Sequence, residues 1–412
     1  MLNICRGRPD LAVILLGRMV STFGDGMAVV ALTLRLQADG ASPYQVGLVL
    51  AAGSMPLLVL ARLVGRLVDT HDSRWLLVGG GLAEVAATVP LVFLHSVATI
   101  VVLVAVLAGV SSMTGATWSA LVPRVVGEDH VAEAVSAQTS LNVLALVAAP
   151  AVGGLLASAW GTGVPIAIDA TTFVAVTVSA VAVRTRRRPE RAPSDGPREL
   201  RGGWAILRAD RVLAPLLAGV ALVVLLVGMV DVVTVYLVRD SLHAASAWYG
   251  VTEAAWMAGM VAGAVGAGLV RTEARQIRAT IGGAALACAG VAAFAVAPSV
   301  IVLVPVAIAG GFGNGVAGVC MSTLLTTRTP DSARGRVSAT TNAILGGAQG
   351  ASLLTGGGVA VMLTPRQVYG TAGLLGLLAS AVLALRQARV GSFRRGTGTA
   401  ATEARSQAPV WR

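Results

Sequence analysis

The chain contains no lysine; all 31 of its basic residues are arginine. Only 12% of its 412 residues are charged, about half the share of an ordinary soluble protein. Each scarcity excludes something. Without lysine there is no phosphate-cradling GxxxxGK[ST] loop, so an ATP-driven pump is ruled out. Three cysteines, Cys5, Cys288 and Cys320, give neither a disulfide framework nor a CxxC pair. Four scattered histidines give no HxxxH pair, so no metal site and no cofactor are expected. Aromatics are 4%, too few for an extended stacking surface. No His/Asp/Glu cluster or Cys–His arrangement supports an enzyme. What the chain has in abundance is apolar length: 55% hydrophobic residues and a mean hydropathy of +0.78. That composition reads as a polytopic membrane protein embedded in a lipid bilayer.

A bilayer-spanning helix needs roughly 20 mostly apolar residues. Twelve such segments are predicted, over 11–36, 44–67, 75–94, 99–122, 135–160, 164–183, 212–238, 248–270, 277–297, 300–326, 337–363 and 368–385. The first begins too near further spans, and runs too long, to be a signal peptide. Arginines crowd alternate connectors: Arg62, Arg66 and Arg74; Arg124; Arg271, Arg275 and Arg278; Arg328, Arg334 and Arg336. The linker from Arg184 to Arg211 carries nine more. Of the opposite connectors, ADGASPY, HSVA, WGTG and APSV carry none, and only RDSLHAAS and TPRQ carry one each. This asymmetry predicts both termini in the cytoplasm, and it explains the +11 net charge without nucleic acid. The predicted organisation is a six-helix half over 1–184, a cytoplasmic linker over 185–211, a second six-helix half over 212–390 and a disordered cytoplasmic tail over 391–412.

The halves look related. VSAQTSLN from Val135 and VSATTNAI from Val337 each open a fifth span after a charged connector. Asp25 and Asp231 each stand alone in a first span, ending near Arg35 and Arg239. Same-orientation repeats of six spans point to a transporter with its site between them.

With spans, linker and repeat in place, GRLVDTHDSRWLL resembles the loop signature between spans two and three of the major facilitator superfamily. Gly65, Leu67, Asp69, Arg74 and Leu77 match; Thr70 and Asp72 depart from the pattern. The resemblance implies a cytoplasmic latch between halves, with Gly335 and Arg336 at the start of span eleven as its partner. ALVAAPAVGGLL resembles the fifth-span signature of proton-coupled exporters, with Ala145 and Ala149 for glycines and Pro150, Gly153 and Gly154 kept. PRVVGEDHVAEAVSAQTSLN and ARGRVSATTNAILGGAQG resemble the branch holding siderophore exporters and macrolide-efflux proteins. The implied fold is an all-α integral membrane bundle of twelve transmembrane helices in two pseudo-symmetric halves. The implied function is export of a small organic molecule, a drug, antibiotic or natural product, by proton antiport and alternating access in a bacterial plasma membrane. Uptake or facilitated diffusion, or a non-transporting receptor, are the alternatives. Many proton-antiporting relatives carry an arginine in span four, and AVLAGVSSMTGATW has none.

A charge at mid-bilayer costs at least ~2.5–3.5 kcal/mol on insertion scales, so such residues face a cavity or a partner. Asp25 is the first candidate for coupling to protons or substrate, with Arg18 two turns away on the same face. Asp231 is its counterpart in span seven, and Glu253 lies in span eight. Glu84 and Asp169 are read as helix-packing residues. Asn142, Asn314, Asn342, Trp118 and Trp256 are candidate cavity residues; Trp75 and Trp160 are interfacial anchors. Acids outnumber bases within the spans, so the expected cargo is hydrophobic and neutral or cationic. A monomer is expected.

Overall fold

The computed structural model describes residues 9–183, 185, 198–210 and 212–406, and among them every regular element is helical. The first half holds α1 (Pro9–Ala38), α2 (Pro43–Thr70), α3 (Ser73–Leu91), α4 (Val97–Val126), α5 (Val131–Trp160) and α6 (Gly163–Ala182). A short linker helix, α7 (Arg198–Ala209), precedes the second half. That half holds α8 (Leu213–Gly228), α9 (Ser246–Ala267), α10 (Glu273–Val296), α11 (Val300–Arg328), α12 (Arg334–Val359) and α13 (Pro365–Ser406). Among the described residues, and setting α7 and the short turns aside, twelve helices follow the predicted order, and eight are apolar and long enough on their own to cross a membrane.

Local chemistry sets the ends. Ser42 caps α2 in a reciprocal capping box with Gln45, and Pro43 occupies the first turn, where its missing N–H is no loss. Asp72, the departure from the loop signature, caps α3 by accepting from the Arg74 backbone at 2.8 Å. Gly127 and Gly161 end α4 and α5 at φ of +77° and +86°, which a side chain would resist.

The packing repeats between halves. In the first, α1 packs on α5 and α6, α2 on α4, and α3 on α4 and α6; in the second, α8 packs on α12 and α13, α9 on α11, and α10 on α11 and α13. The main contacts between the halves are α5 with α9 and α2 with α12. Each is a backbone-to-backbone approach at glycine. A side chain on Gly154 would come within 3.0 Å of the Gly250 Cα, and one on Gly357 within 2.9 Å of the Tyr44 Cα. Gly154 and Gly357 stand 203 residues apart, as do their partners' glycines Gly47 and Gly250. The exporter signature is thus structurally explained: Gly153 admits Met27 of α1, and Gly154 admits α9 of the other half.

The two ends of the bundle differ. At the end away from the termini, one hydrophobic cluster runs across both halves, from Val30, Leu34 and Val46 to Val232, Tyr249 and Leu353. The Tyr236 hydroxyl donates to the Ala41 carbonyl at 2.6 Å, and Gln37 to Asp240 at 2.7 Å, both across the halves. At the terminal end the cores are separate. Leu11, Leu77, Trp118 and Leu121 pack within the first half; Leu216, Ile281, Leu324 and Val337 pack with the linker's Leu207 within the second. The molecule is sealed at one end and divided at the other.

Three elements differ from the sequence expectation. Span seven is not one helix. After Gly228 it passes through a 3₁₀ turn, Met229–Val232, a single helical turn, Thr234–Tyr236, and a π-turn, Leu237–Ser241. Gly228 has the Ser352 and Gln349 side chains against it, and the β-branched run of valines that follows is a poor helix former. The linker contains α7, whose Leu207 is buried in the second half and whose Gly203 sits against Arg336 and Thr340; residues 186–197 lie outside the described residues. The last helix continues past Gly391 to Ser406, through a stretch with no proline before Pro409; 407–412 lie outside the described residues.

Candidate functional site

Two groups of carboxyls lie inside the bundle, one per half. In the first half, α1 carries Asp25 between Gly24 and Gly26. Those glycines let α6 and α5 press close: the Asp169 and Thr172 side chains lie against Gly24, and the Ala149 methyl lies against Gly26. Asp169, on α6, is fully buried and accepts from the Thr172 hydroxyl at 3.3 Å, while its Oδ2 has no partner. Glu84, on α3, is 3% exposed and accepts from Ser111 at 3.0 Å and Thr114 at 2.8 Å on α4. Asp25, Glu84 and Asp169 are near enough to act on one another electrostatically. The sequence separates these three by tens of residues, and only the tertiary packing reveals them as a group.

Arg18 does not close an ion pair with Asp25. Its Nη1 donates to the Gly115 carbonyl of α4 at 3.2 Å, and its Nε is buried without a partner. Arg18 of α1 thus lies against the backbone of α4.

In the second half, a cavity of about 270 Å³ holds Asp231 and Glu253 together. Asp231 rides the 3₁₀ turn where span seven breaks, and Gln349 of α12 donates to its Oδ2 at 3.2 Å. A break in a span frees backbone groups, and such backbone is tolerated where it lines a cavity. Trp256, Asn314 and Met260 line the same space, with the Asn314 amide 4.0 Å from the Met260 sulfur. Phe294 and Tyr369 stack at 5.1 Å, and the Tyr369 hydroxyl shares a 2.8 Å hydrogen bond with Thr234. A larger cavity of about 510 Å³, lined by Ala52, Met55, Leu60, Val106 and Val110, offers only apolar side chains.

Other predicted residues go elsewhere. Trp118 is 3% exposed and belongs to the first-half core, not to a cavity, because its stretch of α4 shares one apolar cluster with Leu15 of α1 and Leu77 of α3. Asn142 is half-buried with its Oδ1 unpartnered, and Asn342 is exposed. The latch is not drawn together. Arg74 donates to the Val181 and Val183 carbonyls of its own half, each at 2.9 Å, and Arg336 to Ser332 of its own half at 3.3 Å. A side chain on Gly65 would meet only open space, so no helix packs closely against it. The physical reason is the divided terminal end, where α2 and α12 have parted. Trp75 and Trp160 are 78% and 69% exposed, as anchors must be.

The family model for the major facilitator superfamily matches residues 14–352. The chain belongs to the major facilitator superfamily. Among its relatives is Macrolide efflux protein A of Streptococcus pyogenes, 24% identical over 269 residues, covering 63% of this chain and 66% of that one. The chain thus spans just under two thirds of that relative's length. Enterobactin exporter EntS of Escherichia coli O1:K1 / APEC is 27% identical over 402 residues, 93% of each chain. The nucleoside transporter NupG superposes with a TM-score of 0.76 at 11% identity, over 92% of this chain and 98% of that one. A bacterial homologue of the iron transporter ferroportin gives 0.68 at 15% identity, over 91% and 98%. These likenesses establish the superfamily fold, and the chain is a multi-pass membrane transporter whose curated relatives include efflux proteins.

Proposed function

We propose that this transporter exports a small, hydrophobic, neutral or cationic organic molecule from the cytoplasm by proton antiport. In this reading it is a monomer in a bacterial inner membrane with both termini cytoplasmic. The divided end then faces the cytoplasm and the sealed end faces outward, an inward-open stage of alternating access. The observation that carries the reading is the pair of separate carboxyl groups, Asp25 with Asp169 and Glu84 in one half and Asp231 with Glu253 in the other, inside a bundle sealed at one end only. An exchanger needs sites that take up a proton on one side and give it up on the other. Carboxyls set within spans and without a closed ion pair are the side chains suited to that task. Asp25 is the first candidate, because its flanking glycines fix it among three helices, with Arg18 close enough to act on its charge. Relatives whose names describe macrolide efflux and enterobactin export favour the outward direction.

The test is accumulation of fluorescent drugs and dyes in a pump-deficient bacterial host. Wild type is compared with Asp25→Asn at equal expression, each with and without an uncoupler. Lower accumulation that the uncoupler and Asp25→Asn both abolish supports the reading. Raised accumulation with wild type would establish uptake instead.

A further inference from the structure

The second-half cavity has a lining that selects for one kind of cargo. We propose that it seats an organic ammonium ion, with the charged nitrogen between Asp231 and Glu253 and the apolar body against Trp256, Met257 and Met260. This names the cargo class of the exporter proposed above and rests on that reading.

Charge is the first ground. The lining contains two carboxyls and neither an arginine nor a histidine. Two like charges sharing a cavity repel, and the polar neighbours Thr234, Thr252, Asn314 and Gln349 are all neutral. A cation between the carboxyls offsets that repulsion; a neutral molecule cannot, and an anion worsens it. The site is also reachable: Asp231 is exposed although spans surround it, so its exposure is to the cavity.

Shape and composition are the second ground. Three of the seventeen lining residues are aromatic, in a chain that is 4% aromatic throughout. Ring faces attract cations within about 6 Å, most strongly when both are out of water. Trp256 is the half-buried ring of the three; Thr234 holds the Tyr369 hydroxyl and Phe294 stacks on its ring, so this buried pair gives the wall a fixed backing. Five valines and the flexible Met257 and Met260 complete an apolar wall. A hard metal ion would want six or more oxygen ligands, and no group of three His, Cys, Asp or Glu among the described residues is placed to hold one.

The experiment measures binding by the purified full-length chain in lipid nanodiscs, so it does not depend on flux. The probes share one ring system and differ in charge: 1-naphthylmethylamine, 1-naphthylmethanol and 1-naphthoate, with Mn²⁺ as a fourth. The amine is expected to bind at least tenfold more tightly than the alcohol, and the carboxylate more weakly still. Glu253→Gln should weaken the amine at least tenfold and leave the alcohol unchanged. Glu253→Asp, which keeps the charge, should retain the preference, which separates lost charge from lost fold. Equal affinity for the three organic probes would overturn the proposal. So would amine binding that survives Asp231→Asn combined with Glu253→Gln, or Mn²⁺ binding that excludes the amine. Amine binding without efflux of any compound would leave the site standing and count against the exporter reading. Efflux by a protein that does not bind the amine would overturn the site alone.

Discussion

Replacing Gly154 with alanine should unbalance the transporter without disturbing any charged group. The added methyl would lie 3.0 Å from the Gly250 Cα, 3.1 Å from its N and 3.2 Å from the Ala247 carbonyl oxygen. Carbon atoms prefer about 3.5–4.0 Å. All three obstacles are backbone, so no rotamer change relieves them, and α5 and α9 must separate by about half an ångström. Overpacking of this kind costs about 1–3 kcal/mol. The strain applies only while the halves touch at the sealed end. A state in which they part there escapes it, so the balance between the two should move by about 5- to 150-fold. Spin labels on Phe93→Cys and Met362→Cys report this directly. Both positions are exposed, at 74% and 88%, near the sealed end and in opposite halves. In Gly154→Ala, and in its repeat-related partner Gly357→Ala, the distance distribution should shift towards a wider separation. Gly65→Ala, where the methyl meets open space, should leave it unchanged. Identical distributions for Gly154→Ala and Gly65→Ala would refute the reasoning.

Tyr236→Phe removes the 2.6 Å bond to the Ala41 carbonyl across the halves and should open the same end more modestly, by about 1 kcal/mol, read with the same labels. Leu207→Ala on the linker helix empties a 1%-exposed site in the second-half core and should cost about 2–4 kcal/mol, seen as a lower melting temperature in detergent. Asp210 lies outside the spans. Burial pushes its carboxyl up, but Arg328, at 2.9 Å, and the Leu213 and Val212 amides outweigh that and hold it below its ordinary value. A lowered folded pKa stabilises above the unfolded value of about 3.9 and is lost as pH falls through the folded one. The Asp210→Asn deficit, about 1–2 kcal/mol at neutral pH for this partly exposed pair, should therefore shrink in acid. Glu84→Leu should destabilise by about 1–3 kcal/mol because the Ser111 and Thr114 hydroxyls lose their acceptor, whereas Glu84→Gln should stay within about 1 kcal/mol of wild type.

Much of the fold was legible because lipid and water impose a simple code. Apolar runs of the right length, arginines in alternate connectors and the Val135/Val337 repeat were enough to place twelve helical segments and two halves. The fifth-span signature was legible as a motif, but its role was not: that Gly154 meets Gly250 depends on which helices the fold brings together. Span seven read as continuous because valine and glycine keep hydropathy high even where they break a helix. The linker helix was hidden in an arginine-rich stretch, although Trp204, Ile206 and Leu207 carry an apolar stripe that marks it. Glu84 and Asp169 read as separate packing residues, since no sequence spacing shows that α3 and α6 carry them to Asp25. The loop motif after span two was legible, but that Arg74 bonds the Val181 and Val183 carbonyls of its own half was not, because that depends on which helix ends the fold brings together.

The proposed cycle exchanges an organic molecule for protons. The most direct measurement uses purified protein in liposomes loaded with a pH-sensitive dye, with an organic amine gradient as the only driving force. Proton movement opposite to the amine, absent from empty liposomes and from Asp25→Asn, is the predicted result. Amine flux that leaves the internal pH untouched, or proton movement in the same direction as the amine, would contradict the account.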